Sequence, residues 1–159
     1  MDPSILILPA KRLVGMKIET SVSNYMAPAL WQKFMPRVKE IKNGIGTQKY
    51  SIQIYSELFD YSNFNPNRSF TYWAATEVSS FDSIPDGMEA LELMEGKYAL
   101  FIHKGTMESF PKTLGYIYEE WLPTSGFSVD HRPHFELLDE RYLGPNHPDS
   151  EEEVWVPIK

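Results

Sequence analysis

The order of the predicted secondary structure elements most constrains the fold, because one pattern of strand, helix, strand, strand occurs twice. The first copy comprises a strand over residues 12–20, a helix over 30–41 and strands over 50–55 and 69–78; the second comprises a strand over 97–104, a helix over 111–125 and strands over 134–139 and 153–158. Pro85-Asp86-Gly87 is a turn signal between them. Two such units can share one antiparallel sheet with both helices on one face. We therefore predict an α+β fold of duplicated β-α-β-β units, with a curved sheet and a central pocket between them.

The two predicted helices each carry one apolar face. In the first helix that face is formed by Leu30, Trp31, Phe34, Met35, Val38 and Ile41; in the second it is formed by Leu114, Ile117, Tyr118, Trp121 and Leu122. Pro36 is expected to kink or divide the first helix, because proline removes a backbone donor and clashes with the preceding turn. Ser109 is a candidate N-cap of the second helix, and Gly126 is expected to end it.

The length of 159 residues predicts a single domain over residues 1–159, with pseudo-repeats at roughly 5–80 and 95–159. The chain has no cysteine, which excludes a disulfide framework. The apolar run at the N-terminus is four residues long and follows an acidic residue, so it predicts neither a signal peptide nor a membrane span. These features favour a cytoplasmic protein.

The formal net charge of -7 opposes binding to nucleic acid and to anionic lipid. A hydrophobic, cationic or neutral small molecule is the partner that this charge favours, and no cofactor is indicated. Aromatic residues make up 14% of the chain, which suits either a core of large rings or a binding cavity.

Glu136 is the most informative single residue, because it lies inside a segment that otherwise reads as a buried strand. Burial of a carboxylate costs several kcal/mol unless a partner replaces its hydration. Glu136 is therefore either a site residue or a residue on an exposed strand face, or one satisfied by Tyr and Arg neighbours.

The alternation of strand residues sorts the candidate site residues by face. We expect the more aliphatic side of each strand to pack under the helices. The residues then left for an opposite wall are Trp73, Phe101, His103, Glu136 and Trp155. A shift of one residue in the register of any strand would reverse its faces.

Five segments together make the chain resemble a GyrI-like, or AraC-type effector-binding, small-molecule-binding domain, and most of all the stand-alone integron-associated form. The segments are Leu30-Trp31-Gln32-Lys33-Phe34, Tyr72-Trp73-Ala74-Ala75-Thr76-Glu77-Val78, Ile84-Pro85-Asp86-Gly87-Met88, Tyr118 to Phe127, and Phe135-Glu136 through Pro157-Ile158. They span nearly the whole chain in the family's order. No single segment is as specific as a metal-binding cysteine array, so the ordered set carries the resemblance.

The resemblance implies a bacterial protein whose central cavity takes hydrophobic, often cationic compounds, with a role in multidrug sensing or transcription regulation. The family's buried glutamate matches Glu136, and its pocket aromatics match Trp73 and Trp155. With Phe101, His103 and Tyr118 from the strand and helix patterns, these residues form the predicted ligand-binding set. Leu137 and Leu138 depart from the family, because the residues after the glutamate are often aromatic in relatives.

Two other functions follow from the same resemblance. Some relatives resemble hydrolases that open cyclopropane rings of electrophilic toxins; here Glu136 would be the general acid or base, and Trp73, Tyr118 and Trp155 would hold the substrate. A gyrase-modulating interaction protein is a further alternative. The predicted ligand domain consumes the whole length and leaves no room for a helix-turn-helix segment, so direct binding to DNA is not expected.

The remaining motifs favour structural interpretations. His131 and His134 lack a third ligand nearby, so no metal site is predicted. Ser125 is expected to end a helix rather than act as a nucleophile. Glu119 and Glu120 are expected to be exposed, and the run Glu151-Glu152-Glu153 is expected to be a solvated approach to the last strand.

Overall fold

A computed structural model describes residues 2–159, which form eight strands and two helical regions. The strands are β1 (Ser4–Leu8), β2 (Lys11–Thr20), β3 (Lys49–Ile54), β4 (Phe70–Glu77), β5 (Glu89–Leu93), β6 (Gly96–Lys104), β7 (His134–Leu138) and β8 (Glu151–Pro157). Helix α1 (Ala27–Phe34) follows β2. Helix α2 covers residues 110–125 and consists of Phe110–Gly115, a π-helical segment Tyr116–Trp121 and Leu122–Ser125. The predicted α+β fold with two helices is confirmed.

All eight strands belong to one antiparallel, curled sheet in the order β1-β6-β8-β7-β3-β4-β2-β5. The order is symmetric: exchange of β1–β4 with β5–β8 and reversal of the direction give the same sheet. The centre of this symmetry lies between β3 and β7, where Ser51 pairs with Glu136. The two copies of the repeated pattern therefore meet at the residue that the sequence singles out.

Strands β1 and β5 were not predicted from the sequence. Each is only five residues long and lies at an edge of the sheet. Strand β1 pairs with β6 and β5 pairs with β2, so each of these strands joins the other half of the fold. Such short and mostly exposed strands show no clear alternation of apolar and polar residues in the sequence.

Both helices end as their sequences predict. Helix α1 stops at Phe34, and a 3-10 helix continues from Met35 to Glu40 around Pro36. Helix α2 ends at Gly126, whose φ of 81° is in the left-handed region that favours glycine. Ser109 occupies the N-cap position of α2, as predicted, but its hydroxyl donates to the carbonyl of Thr106 and makes no capping hydrogen bond.

Apolar clusters cover both faces of the sheet. Helix α1 packs on one cluster with β2 and β4, and α2 packs on a second cluster with β6 and β8. A third cluster fills the opposite, helix-free face and contains Tyr50, Ile52, Trp73, Tyr98 and Phe135, with Trp155 packed against it. The sheet therefore separates two apolar layers, and the helices pack mainly on the outer strands of each half rather than on the central strands β3 and β7.

The predicted common wall of five residues is wrong, because its members lie on two faces. In the strand register Glu136 pairs with Val154 and Phe101 pairs with Val154, which puts both on the helix side. Phe135 pairs with Trp155, and Ile52 pairs with Trp73, which puts the two tryptophans on the other side. The more aliphatic side of the strand faces the helices in β4 and β8, but it faces away from them in β6 and β7. Residue type alone therefore does not reveal which face of the sheet a side chain occupies.

Candidate ligand-binding site

A cavity of about 880 Å³ lies on the helix side of the sheet, over the central strands. It exists because α1 covers β2 and β4 while α2 covers β6 and β8, so the strands between them face an open space. Its lining includes the aromatic side chains of Tyr25, Trp31, Tyr55, Phe59, Phe70, Tyr72, Phe110, Tyr118, Tyr142 and Trp155. The lining is mainly apolar, which is typical of small-molecule sites.

Glu136 lies in this cavity and has one oxygen engaged and one free. Its Oε1 accepts hydrogen bonds from Nε2 of Gln53 at 3.0 Å and from the hydroxyl of Ser51 at 3.4 Å. Within residues 2–159, Oε2 accepts no hydrogen bond and no cation pairs with this carboxylate. One oxygen is thus held in place, and the other is left to the cavity.

A chain of hydrogen bonds from α1 fixes the donors of Glu136. Trp31 Nε1 donates to the Tyr72 hydroxyl at 2.8 Å, and the hydroxyls of Tyr72 and Ser51 lie 2.5 Å apart. Because Tyr72 accepts from Trp31, its own proton is available for Ser51, whose proton then points to Glu136. Helix α1 and three neighbouring strands therefore hold the carboxylate in one orientation.

The surroundings of Glu136 disfavour its charged form. Its pKa is raised to about 8, mainly by burial and in addition by the nearby Glu152, while the hydrogen bonds from Gln53 and Ser51 oppose the rise. Without a cation in the cavity, Glu136 therefore carries a proton over much of the neutral range.

Glu152 is a second acidic residue in the lining of the same cavity. It lies on β8, two residues before Val154, and Val154 is the register partner of Glu136. Burial raises the pKa of Glu152 to about 7. The cavity thus contains two carboxylates on neighbouring strands.

A neutral ring cluster closes the other side of the cavity. The Tyr118 hydroxyl lies 3.3 Å from Nδ1 of His134, and Tyr55 and Phe59 pack edge-on against the imidazole. The pKa of His134 is lowered to about 3, mainly by burial and in addition by Arg132 and His131, so the ring is uncharged at neutral pH. Burial also raises the pKa of Tyr118 well above its ordinary value. No positive charge from this cluster competes for the carboxylates.

The sequence profile of the GyrI-like small molecule binding domain matches residues 1–159. The chain belongs to this family. A curated relative, the transcriptional regulator BrlR of Pseudomonas aeruginosa, is 32% identical over 158 residues, which are 99% of this chain and 56% of BrlR. The GyrI-like domain described here thus spans about half the length of the curated relative that it matches.

Solved structures share the fold. The structure of SAV2435 bound to tetraphenylphosphonium has a TM-score of 0.75 at 16% identity and covers all of this chain and 94% of that chain. An integron cassette protein from the mobile metagenome of Vibrio cholerae has a TM-score of 0.67 at 16% identity and covers 100% and 97% of the two chains. At these identities the likeness concerns the fold alone.

Four of the six predicted site residues line the cavity of the GyrI-like domain: Glu136, Tyr118 and His103 on the helix side, and Trp155 at its border. The indole of Trp155 stacks on Phe135 of the neighbouring strand, on the helix-free face, with ring centroids 5.3 Å apart. Trp73 and Phe101 do not line the cavity, because Trp73 belongs to the helix-free face and Phe101 is covered by α2, against Trp121. The structure thus brings together four of the six predicted residues, of which three face the cavity from the helix side.

The sequence reasoning missed several residues that line the cavity. Tyr25 and Phe59 lie in loops, where the strand and helix patterns give no information, and Tyr55 directly follows the end of β3 at Ile54. The prediction that Glu151-Glu152-Glu153 is only a solvated approach is wrong, because these residues begin β8 and Glu152 faces the cavity. Alternation extended back from Val156 and Val154 would have placed Glu152 on the helix side.

The described part of the chain, residues 2–159, offers no group of three or more His, Cys, Asp or Glu side chains that could hold a metal ion. No helix in that range is long and apolar enough to span a membrane. Glu119 and Glu120 are exposed on α2, as predicted.

Proposed function

We propose that this GyrI-like domain binds hydrophobic cationic or aromatic compounds in the cavity, with Glu136 as the charge that attracts them. The observation that carries the proposal is the free Oε2 of Glu136 in an aromatic cavity where no protein cation pairs with it. A cationic ligand would supply the missing partner. Location in the cytoplasm and the absence of direct binding to nucleic acid remain part of this proposal, and the net charge of -7 supports the second point.

Three attractions would act on such a ligand. The carboxylate attracts a delocalised cation strongly where little water screens it. Each aromatic ring that faces the cation adds roughly 0.5 to 2 kcal/mol. Apolar area removed from water contributes about 25 cal/mol per Å². A lipophilic cation satisfies all three, whereas a small inorganic cation satisfies only the first.

The relatives support a sensing role. BrlR is a transcriptional regulator, and SAV2435 was solved with tetraphenylphosphonium, a lipophilic cation. We propose that ligand binding to this domain serves the regulation of transcription, either within a longer protein or through a partner. Multidrug binding would follow from a roomy cavity in which rings, rather than directional hydrogen bonds, make most contacts.

Glu136→Gln tests the role of the carboxylate. Tetraphenylphosphonium is expected to bind the wild type at pH 8 and to lose about tenfold or more in affinity in the variant, because the amide cannot balance its charge. Triphenylphosphine oxide, a neutral compound of similar rings, is expected to bind both proteins alike. Fluorescence titration of both compounds measures the ratio.

Glu120→Gln is the matched control, since it removes one negative charge from the exposed face of α2. It is expected to leave both affinities unchanged. Equal loss of affinity in the Glu120 and Glu136 variants would mean that net charge, not the cavity carboxylate, attracts the cation, and would contradict the proposal.

A second candidate function rests on the two carboxylates together. Glu136, with a pKa of about 8, can donate a proton at neutral pH, while Glu152, with a pKa of about 7, can accept one. This pair suits the hydrolysis of a cyclopropane-containing electrophile. Incubation with such a compound followed by chromatography separates the two functions, because a binding protein returns the compound unchanged and a hydrolase consumes it.

A further inference from the structure

Glu152 has no partner in the protein. Within residues 2–159 its carboxylate makes no hydrogen bond and no ion pair, although it lies in the cavity lining beside Glu136. Its neighbour Glu153 instead binds Arg141 at 2.7 Å and accepts from Trp155 Nε1 at 2.9 Å. The free carboxylate is therefore a property of the cavity and not of the acidic run as a whole.

The cationic side chains around the cavity are engaged elsewhere. Lys49 Nζ donates to the carbonyl of Thr47 at 2.6 Å. Both nitrogens of His103 have partners: Nδ1 lies 2.6 Å from the Thr113 hydroxyl and Nε2 lies 3.1 Å from the carbonyl of Thr106. Arg141 is held by Asp139 and Glu153. None of these groups neutralises Glu152.

The register places Glu152 and Glu136 close enough to act on one molecule. Glu136 is opposite Val154, so Glu152 is its diagonal neighbour on the same face. Diagonal neighbours on adjacent strands are about 7 to 8 Å apart, within the span of a small aromatic compound. The two carboxylates also raise each other's cost of ionisation, since like charges in a partly buried site repel. A ligand with two positive charges would relieve this repulsion, and a ligand with one charge would relieve only part of it.

We propose that Glu152 is a second anionic subsite and that the cavity prefers aromatic compounds with two cationic groups over those with one. The inference rests on the proposed function, because it assigns the ligand class of the same cavity. Glu136 would hold one cationic group, Glu152 the other, and the rings of Tyr72 and Tyr118 would contact the aromatic body.

A matched pair of amines tests the inference. Meta-xylylenediamine has two aminomethyl groups on one benzene ring, and 3-methylbenzylamine has one aminomethyl group and a methyl group in its place. In calorimetric titrations of the wild type at pH 8, the diamine is expected to bind about tenfold or more tightly than the monoamine. In Glu152→Gln the preference is expected to disappear, while the affinity for the monoamine does not fall.

Glu151→Gln is the control, because Glu151 neighbours Glu152 in sequence and is not part of the cavity lining. It is expected to retain the preference for the diamine. Glu152→Met serves as a second variant if the Gln variant does not fold. An equal affinity of the wild type for both amines, or an equal loss of both in Glu152→Gln, overturns the inference.

The outcomes also separate this inference from the proposed function. If the monoamine and tetraphenylphosphonium bind through Glu136 but the diamine gains nothing, only the second subsite is wrong. If neither amine nor tetraphenylphosphonium binds the wild type, the proposed function itself is wrong.

Discussion

Tetraphenylphosphonium binding is expected to strengthen by about tenfold or more when the pH is raised from 6 to 8, because Glu136 loses its proton over this range. The ligand carries a permanent charge, so any dependence on pH belongs to the protein. Below the pKa of about 8, each decrease of one pH unit lowers the charged fraction of Glu136 by up to tenfold. Fluorescence titrations at intervals of half a pH unit measure the slope.

Glu136→Gln should show a much flatter profile, because the amide does not titrate. The other titratable groups around the cavity remain in this variant, namely Lys49, His103, His134, Asp139, Glu140 and Glu152. His134 stays neutral from pH 6 to 8, whereas the pKa of Glu152 is about 7, so the ionisation of Glu152 adds a slope that remains in the variant. A variant profile as steep as that of the wild type would contradict the assignment of the charge to Glu136.

The same ionisation costs the empty protein stability. The ordinary pKa of a glutamate in the unfolded chain is near 4.5, and in the folded protein the pKa of Glu136 is about 8. The unfolded chain therefore gives up this proton first as the pH rises, and the stability present below pH 4.5 is lost progressively up to about pH 8. Binding of a cation would return part of that stability. A charge kept for a ligand thus weakens the unliganded fold.

Phe135→Ala is expected to lower the free energy of unfolding by about 3 to 5 kcal/mol, because it empties the centre of the helix-free cluster. The Phe135 ring is 1% exposed and packs on Trp155, Tyr98 and Tyr50, at centroid distances of 5.3, 5.4 and 5.6 Å. Urea denaturation with the linear extrapolation measures the loss.

Leu137→Ala is the control for this variant, since Leu137 lies on the same face of β7 but is only half-buried. Its expected loss is about 1 to 2 kcal/mol, in proportion to the smaller buried area. Similar losses for the two variants, or a loss below about 1 kcal/mol for Phe135→Ala, would mean that the cluster on the helix-free face is not a tightly packed core.

The sequence predicts the elements whose stability comes from local patterns. The helix faces, the division of the first helix near Pro36 and the stop at Gly126 follow from spacing and backbone chemistry that neighbouring residues determine. Strands β1 and β5 escape prediction because each is only five residues long and mostly exposed at an edge of the sheet, so neither shows a clear alternation of apolar and polar residues. The register between β3 and β7, which defines the centre of the sheet, depends on distant residues.

The site is partly predictable for the same reason. Glu136 is detectable because a carboxylate within a strand of apolar residues is locally anomalous. The family resemblance and the expectation that aliphatic strand sides pack under the helices both predict Trp73 and Trp155 in the cavity wall, yet the two rings belong to the apolar cluster on the helix-free face. Glu152 is difficult to recognise because both of its neighbours in the sequence are also glutamates. Only the alternation of side chains along β8 distinguishes it from them.

Proton release on binding tests the central claim most directly, that Glu136 is the charge which meets the cation. At pH 7, calorimetric titration with tetraphenylphosphonium in phosphate and in Tris gives the number of protons released, because the two buffers differ in their heat of ionisation. We expect about one proton per ligand for the wild type and a clearly smaller number for Glu136→Gln. Binding of the cation to the wild type with no release of protons, or with the same release in both proteins, would contradict the claim.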